Sequence, residues 1–135
     1  MDILIISATI AINLATLAQI ESSNNPSAYN EHTKARGEYQ ITPVCLLDYH
    51  LQTGNEIKPS ELFFEDINRR ICIWYLAVRI PQLLRHYAIP ATVDNVLAAY
   101  HAGIGNLRQG KIGRQTREYI INYHKVEEEK LCLSL

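Results

Sequence analysis

The chain has 135 residues, 47% hydrophobic and 20% charged, a length and balance that suit one soluble domain, spanning residues 1–135, with its own core. Thirteen basic and 14 acidic side chains leave a formal net charge of −1. That balance argues against the basic face of a nucleic-acid binder and against an acidic disordered tail, and it leaves glycans and small molecules open as partners.

The N-terminal stretch MDILIISATIAINLATLAQIE is apolar but broken by Ser7, Thr9, Asn13, Thr16 and Gln19, which argues against a membrane span. Asp2 is its early charge and no Lys or Arg precedes Lys34, so it lacks the basic start of an export signal. The expectation is a helix of the domain itself, from about Ile3 to Ser22. SSNNPSAYN, with Pro26, then supplies a dense turn signal directly after Glu21. EHTKARG forms a polar loop ending at Gly37. A second helix starts at Thr42 and Pro43, a cap followed by proline at the first helical position, and stops at Gly54.

Further along, a helix is expected from near Ser60, with Ile67, Ile71, Trp74, Tyr75 and Val78 at helical spacing and Pro81 kinking or restarting it. Asp66, Asn68, Arg69 and Arg70 read as its solvated face. Gln82–Tyr87 continues it as far as Pro90. Thr92–Tyr100 is a short helix, Gly103 and Gly105 mark a turn, and Gln115–Glu129 forms the last helix, with Glu127 to Glu129 at an exposed end. The class is therefore all-α, with at most a minimal strand pair near residues 30 to 41. Cys45 and Cys72 sit in apolar runs and read as core residues, with a bridge between them open; the third is Cys132. No cysteine pair or histidine cluster has metal-ligand spacing, so neither metal nor cofactor is expected.

Glycosidic cleavage needs a carboxylic acid kept neutral near pH 7 to protonate the leaving oxygen. An apolar surround raises a carboxyl pKa, and the negative end of a helix pushes the same way. Glu21 has this local setting: it closes the apolar run LATLAQIE and precedes a loop. Many helices end in a solvated glutamate, so the position alone decides little.

The blocks ESSNNPSAYN, ARGEYQITP, AAYHAGIGN and TREYI follow in that order. Together they resemble the lytic transglycosylase family of the goose-type lysozyme-like superfamily, from about Ala15 to Tyr123. That family shows E-S-x-x-N-P-x-A, A-x-G-x-x-Q-I-x-P, A-Y-N-A-G and T-x-x-Y. The resemblance implies a lysozyme-like helical domain with a substrate cleft. It implies Glu21 as the catalytic acid and then base, Ser22 as the serine after it, and Asn25 and Pro26 as the turn fixing the helix end. Asn30 falls near a sugar-binding serine, with one extra residue nearby. Gln40 matches the cleft glutamine, and Thr42 holds the variable position before Pro43. Tyr119 matches a tyrosine close to the glutamate, able to orient it or the substrate through its hydroxyl; the alternative is a core aromatic. Tyr29, Tyr39, Tyr100 and Tyr119 fall within the blocks as candidates to line a glycan groove.

Two departures stand out. His101 replaces the asparagine of A-Y-N-A-G, offering a donor of different reach and a titratable ring; it touches substrate or caps a helix end. Glu38 adds a carboxylate where the family has an apolar residue. It could activate water in an inverting hydrolase, whose two carboxylates stand roughly 6.5–9.5 Å apart. Alternatively it is a surface group paired with Arg36 or Lys34, worth at most about 1 kcal/mol.

The leading expectation is a transglycosylase that cleaves between MurNAc and GlcNAc in peptidoglycan and closes a 1,6-anhydro ring. The second is a muramidase with Glu38 as base, and the third a non-catalytic glycan-binding or structural domain. Either enzyme would act on glycan strands at the bacterial cell wall, as a monomer, with no nucleic acid and no membrane insertion.

Overall fold

The computed structural model describes residues 2–134, and they are predominantly helical, as expected. In chain order they form β1 (Ile3–Ile5), β2 (Ala11–Asn13), α1 (Leu14–Ser22) and α2 (Pro43–Thr53). A 3-10 turn (Pro59–Phe63), α3 (Glu65–Trp74) and a π turn (Tyr75–Arg79) follow, then α4 (Ile80–His86), α5 (Val93–Ala102), α6 (Ile104–Arg108) and α7 (Arg114–Ser134). No helix among the described residues is long and apolar enough to cross a membrane.

The expected helix from Ile3 is wrong over its first half. β1 and β2 pair antiparallel, with Ile3 opposite Asn13, Leu4 opposite Ile12 and Ile5 opposite Ala11. Isoleucine and threonine are stiff at χ1 and fit a pleated surface better than a helix, and this segment is rich in both. The helix starts only where a cap exists. Asn13 Oδ1 accepts from the N–H groups of Ala15 (3.1 Å) and Thr16 (3.3 Å), meeting two donors that a helix start leaves orphaned. The strand pair thus lies at residues 3–13, not at 30–41, where only isolated bridges join Tyr29 to Arg36 and Arg36 to Ile41.

The other helices follow their local signals closely. Thr42 caps α2 by accepting from Cys45 N–H (3.2 Å), and Gly54 ends it at φ 74°. Thr92 caps α5 through Asn95 N–H (3.1 Å). The segment from Ser60 opens as a 3-10 turn capped by Lys58 and Glu61 rather than by Ser60. Pro81 does not break the chain's helix. The π turn stands just before it, a wider turn that accommodates a ring with no N–H to give the Ala77 carbonyl. Gly103 and Gly105 flank a residue of a short helix, α6, instead of a plain turn.

The chain divides into two compact units, one of residues 17–75 and one of residues 1–16 with 76–135. In the first, Leu17, Ala18, Tyr39, Ile41, Leu46, Tyr49, Leu62, Ile71 and Cys72 are buried, and Tyr49 meets Trp74 edge to face at 5.1 Å. Cys45 and Cys72 are buried in this core and are not joined by a disulfide. Burial, with Asp48 nearby, pushes the Cys45 thiol up to about 12, so it is inert as a nucleophile.

In the second unit α5 packs against α4, α6 and α7, which is why Val96–Ala99 are buried without interruption. α7 also meets the N-terminal segment. Tyr123 Oη accepts from Asn13 N–H (2.9 Å), the fully buried Thr16 hydroxyl bonds to Glu127, and Lys130 Nζ donates to that hydroxyl (2.8 Å). Glu127 is therefore half-buried and structural, not part of a solvated end. If Asn13 sets the start of α1, Asn13→Ala should lower stability by about 1 kcal/mol and Asn13→Ser by much less, as read from urea denaturation midpoints.

Candidate active site

Glu21 is half-buried, next to last in α1. The helix cannot continue past it because Ser23 and Asn24 both take the left-handed conformation, at φ 56° and 61°. Their N–H groups return to Gln19 O (2.9 Å) and Ala18 O (3.2 Å), closing the helix end. Ser22 fixes the exit. Its hydroxyl donates to Glu38 O (2.7 Å), lies 3.2 Å from Ala18 O, and accepts from Asn25 N–H (3.1 Å). Asn25 Oδ1 in turn accepts from Ser27 N–H (2.9 Å), so the N-P turn is stitched by side chains.

The segment 36–42 is built by a different device. Arg36 and Ile41 exchange both backbone hydrogen bonds at 3.0 Å, forcing residues 37–40 into a tight loop. Gly37 sits at φ 82°, and a Cβ there would overlap the Asn68 amide and the Leu62 carbonyl. Asn68, 1% exposed on α3, lies against this loop. Its Oδ1 accepts from Tyr39 N–H (2.9 Å), and its Nδ2 donates to Arg36 O and Leu62 O (both 2.8 Å). The expectation of a solvated Asn68 is thus overturned: the loop's backbone groups have no ladder to satisfy them, and this amide does so. Tyr39, 1% exposed, is a core residue and not a groove-lining one.

Gln40 follows at φ 54°, an uncommon conformation that costs about 1–3 kcal/mol. Its Nε2 donates to Gly37 O (3.0 Å) and more weakly to Ala28 O (3.4 Å). Thr42 is half-buried and caps α2. Asn30 is exposed; its Oδ1 accepts from His32 and Thr33 N–H (2.9 and 3.2 Å), shaping the 30–35 turn. The Arg36 guanidinium lies over the exposed Tyr29 ring at 5.1 Å. This unit carries Glu21, Ser22, Glu38, Gln40 and Thr42, and the Ser22 hydroxyl joins the first pair to the Glu38 peptide. The peptide of Glu38 is tied to the residue beside Glu21, and the Glu38 side chain is half-buried.

The remaining expected residues belong to the other unit. Tyr100 and His101 lie in the last turns of α5, and Tyr119 lies on α7, with Tyr100 and Tyr119 half-buried. The His101 ring stacks on Tyr119, centroids 4.3 Å apart and planes 28° from parallel. Its Nδ1 is 2.9 Å from the buried Thr116 hydroxyl. Burial lowers the His101 pKa below the ordinary 6.5, favouring the neutral ring. Thr116 and Asn68 were missed as site residues. Thr116 had a signal, since it opens the T-x-x-Y block; Asn68 had none.

Over residues 11–123 the chain matches the transglycosylase SLT domain. It belongs to that family. No curated protein matches the chain. The SLT domain is a lysozyme-like helical fold, and its family is one of lytic transglycosylases, enzymes that cleave the peptidoglycan of the cell wall. The match begins in β2 and ends at Tyr123, so it takes in every residue of both clusters described above.

Asn68→Ala removes the amide's acceptor from Tyr39 N–H and its donors from Leu62 O and Arg36 O, of which Arg36 O keeps the Ile41 N–H, and leaves a void. It should cost about 2–4 kcal/mol, measured by urea denaturation, and should lower peptidoglycan cleavage in a coupled way.

Proposed function

We propose that this SLT-domain chain cleaves the β-1,4 bond between MurNAc and GlcNAc, with Glu21 as the acid and then the base. The observation that carries this is a half-buried carboxyl at the C-terminal end of an apolar helix, with its helix exit tied off by Ser22, at the position to which the E-S-x-x-N-P-x-A resemblance assigns the catalytic glutamate. A carboxyl so held is poised to protonate the glycosidic oxygen. The carboxylate left behind takes the proton of the muramoyl C6 hydroxyl as that oxygen attacks C1, giving a 1,6-anhydro-muramoyl product. The C1–O4 bond breaks, the C1–O6 bond forms, and Glu21 ends protonated again.

The polar residues that the resemblance brings in are given different tasks. Ser22, Asn30 and Thr42 spend their oxygens on backbone N–H groups or carbonyls, so they act by holding backbone in place. Gln40, Tyr100, His101 and Tyr119 are assigned to the glycan.

A second reading has its own support. The Ser22 hydroxyl binds the Glu38 backbone carbonyl, which sets the Glu38 backbone beside the residue after Glu21, and an inverting muramidase needs a second carboxylate in that neighbourhood. The products separate the two, since ring closure gives anhydro ends and water gives reducing MurNAc ends. Mass spectrometry of digested peptidoglycan should show anhydro-muropeptides. Glu38→Gln should leave their yield nearly unchanged, whereas a drop of about 100-fold or more would favour the muramidase. Glu21→Gln should abolish cleavage; a mutant that clears peptidoglycan as fast as the wild type would sink both readings, whereas a wild type that binds peptidoglycan without clearing it would leave a chain that only binds glycan.

A further inference from the structure

The direction of the His101–Thr116 hydrogen bond is set by the hydroxyl's surroundings. Thr116 is 5% exposed, and His101 Nδ1 is the one partner its Oγ1 has among the described residues. The carbonyls that a helical threonine often reaches are otherwise engaged: Ile112 O accepts from Arg117 Nη1 (2.8 Å) and Gly113 O from Arg117 N–H (3.1 Å). A buried hydroxyl must donate, and Nδ1 is the acceptor at hand. Nδ1 therefore keeps its lone pair, and the proton of the neutral ring sits on Nε2. Nε2 has no protein partner among the described residues, and His101 is exposed. Stacking on Tyr119 holds the ring plane, so an N–H is aimed outward with little freedom.

We infer that Thr116 is a positioning residue that locks His101 in the Nε2–H tautomer, making it a neutral, directed donor to an acetamido carbonyl of the glycan. The inference rests on the assignment of His101 to the glycan and deepens it. Protonating the ring puts a second proton on Nδ1. The Thr116 bond must then reverse, and the hydroxyl's own proton loses its acceptor. Nε2 keeps its proton in the imidazolium, so what protonation undoes is the Thr116 donation that fixes the ring, not the donor itself. Partial burial of the ring lowers its pKa below the ordinary 6.5, which extends the neutral state to lower pH.

Among the described residues no charged side chain bonds the His101 ring. On α7, Arg114 pairs with Glu118 (2.9 Å) and Arg117 is held on Ile112 O, while Tyr119 is the ring's stacking partner. On α6, Arg108 lies over Tyr87 (4.8 Å). On α4, His86 meets Tyr87 edge to face (4.7 Å), and Arg85 is exposed. On its own helix, Asp94 bonds His124 (2.6 Å).

Two measurements on the Glu21→Gln chain test this. The first is side-chain nitrogen NMR of His101 at pH 7.5, where Nε2 should carry the proton; the Nδ1–H tautomer would overturn the inference. The second is calorimetric binding of a GlcNAc–MurNAc tetrasaccharide across pH. Affinity should be full above pH 6.5 and fall as His101 protonates below it. Thr116→Val should weaken binding by about 3- to 10-fold at neutral pH and move the acid midpoint up toward 6.5. Thr116→Ser should preserve both. His101→Asn should bind with no acid midpoint in this range. Unchanged affinity and midpoint in Thr116→Val, or no binding at any pH, would overturn it. The catalytic assignment fails separately, by turnover in the Glu21→Gln chain.

Discussion

The unit that carries Glu21 depends on one side-chain amide. Asn68 can make one acceptor and two donor contacts of good geometry, and all three go to backbone at three separate places: Tyr39 N–H, Arg36 O and Leu62 O. Arg36 O also accepts from Ile41 N–H in the single bridge that closes the stretch from Arg36 to Ile41, and no ladder extends beyond that bridge. The close approach is open only to glycine at position 37, whose Cβ would occupy the space of the amide. Loop and helix therefore specify each other. The carbonyl of Glu38, fixed by this clamp, is what Ser22 binds as the chain leaves α1. A hydrogen-bonded path thus runs from the buried amide to the residue beside the proposed acid. Each link is worth only about 0.5–1.5 kcal/mol net, but an orphaned buried group costs more than a made one returns, so the path is stiff.

What the sequence made legible was local. Thr42 with Pro43, Gly54 and Thr92 are cap signals whose partners lie within four residues, and the helices they bound appear where expected. The four motif blocks pointed to the family that the match over residues 11–123 shows, because the family fixes their order. Illegible features depend on partners far along the chain. Asn68 sits among Asp66, Arg69 and Arg70 and reads as one more polar residue of a wet face. Its burial follows from a loop 29 to 32 residues earlier. Glu127 misled in the same way, since the Thr16 hydroxyl it meets is 111 residues away. The N-terminal hairpin failed for another reason. Ala and Leu suggested helix while the isoleucines favoured strand, and Asn13, the cap that divides them, looked like an interruption in a single helix.

The second unit balances a polar seam against its apolar core. Thr16 is fully buried, yet its hydroxyl is met from both sides, by the carboxylate of Glu127 and the ammonium of Lys130. Tyr123 adds the Asn13 N–H, and burial raises its hydroxyl pKa. Val126 fills the apolar position between them. A wholly apolar seam of the same area would hold as firmly, but it would not fix the register of a 21-residue helix against a three-residue strand. Hydrogen bonds to Asn13 and Thr16 do, because a slip of one residue leaves buried polar atoms unpaired.

The exchange of asparagine for histidine in the A-Y-N-A-G block fits this pattern of paired polar groups. An asparagine amide carries its own donor and acceptor and never titrates, so it can meet a sugar's acetamido group without help. An imidazole offers two nitrogens whose roles are undetermined until something fixes the proton. In this chain the threonine that opens T-x-x-Y lies 2.9 Å from one of them, and the tyrosine that closes it stacks on the ring. Both blocks thus act on one side chain. The threonine removes the ambiguity and the tyrosine removes the rotation, so a residue that departs from its family's pattern can still present a single N–H in a single direction. The cost is a ring that must stay neutral, and partial burial supplies that by lowering its pKa.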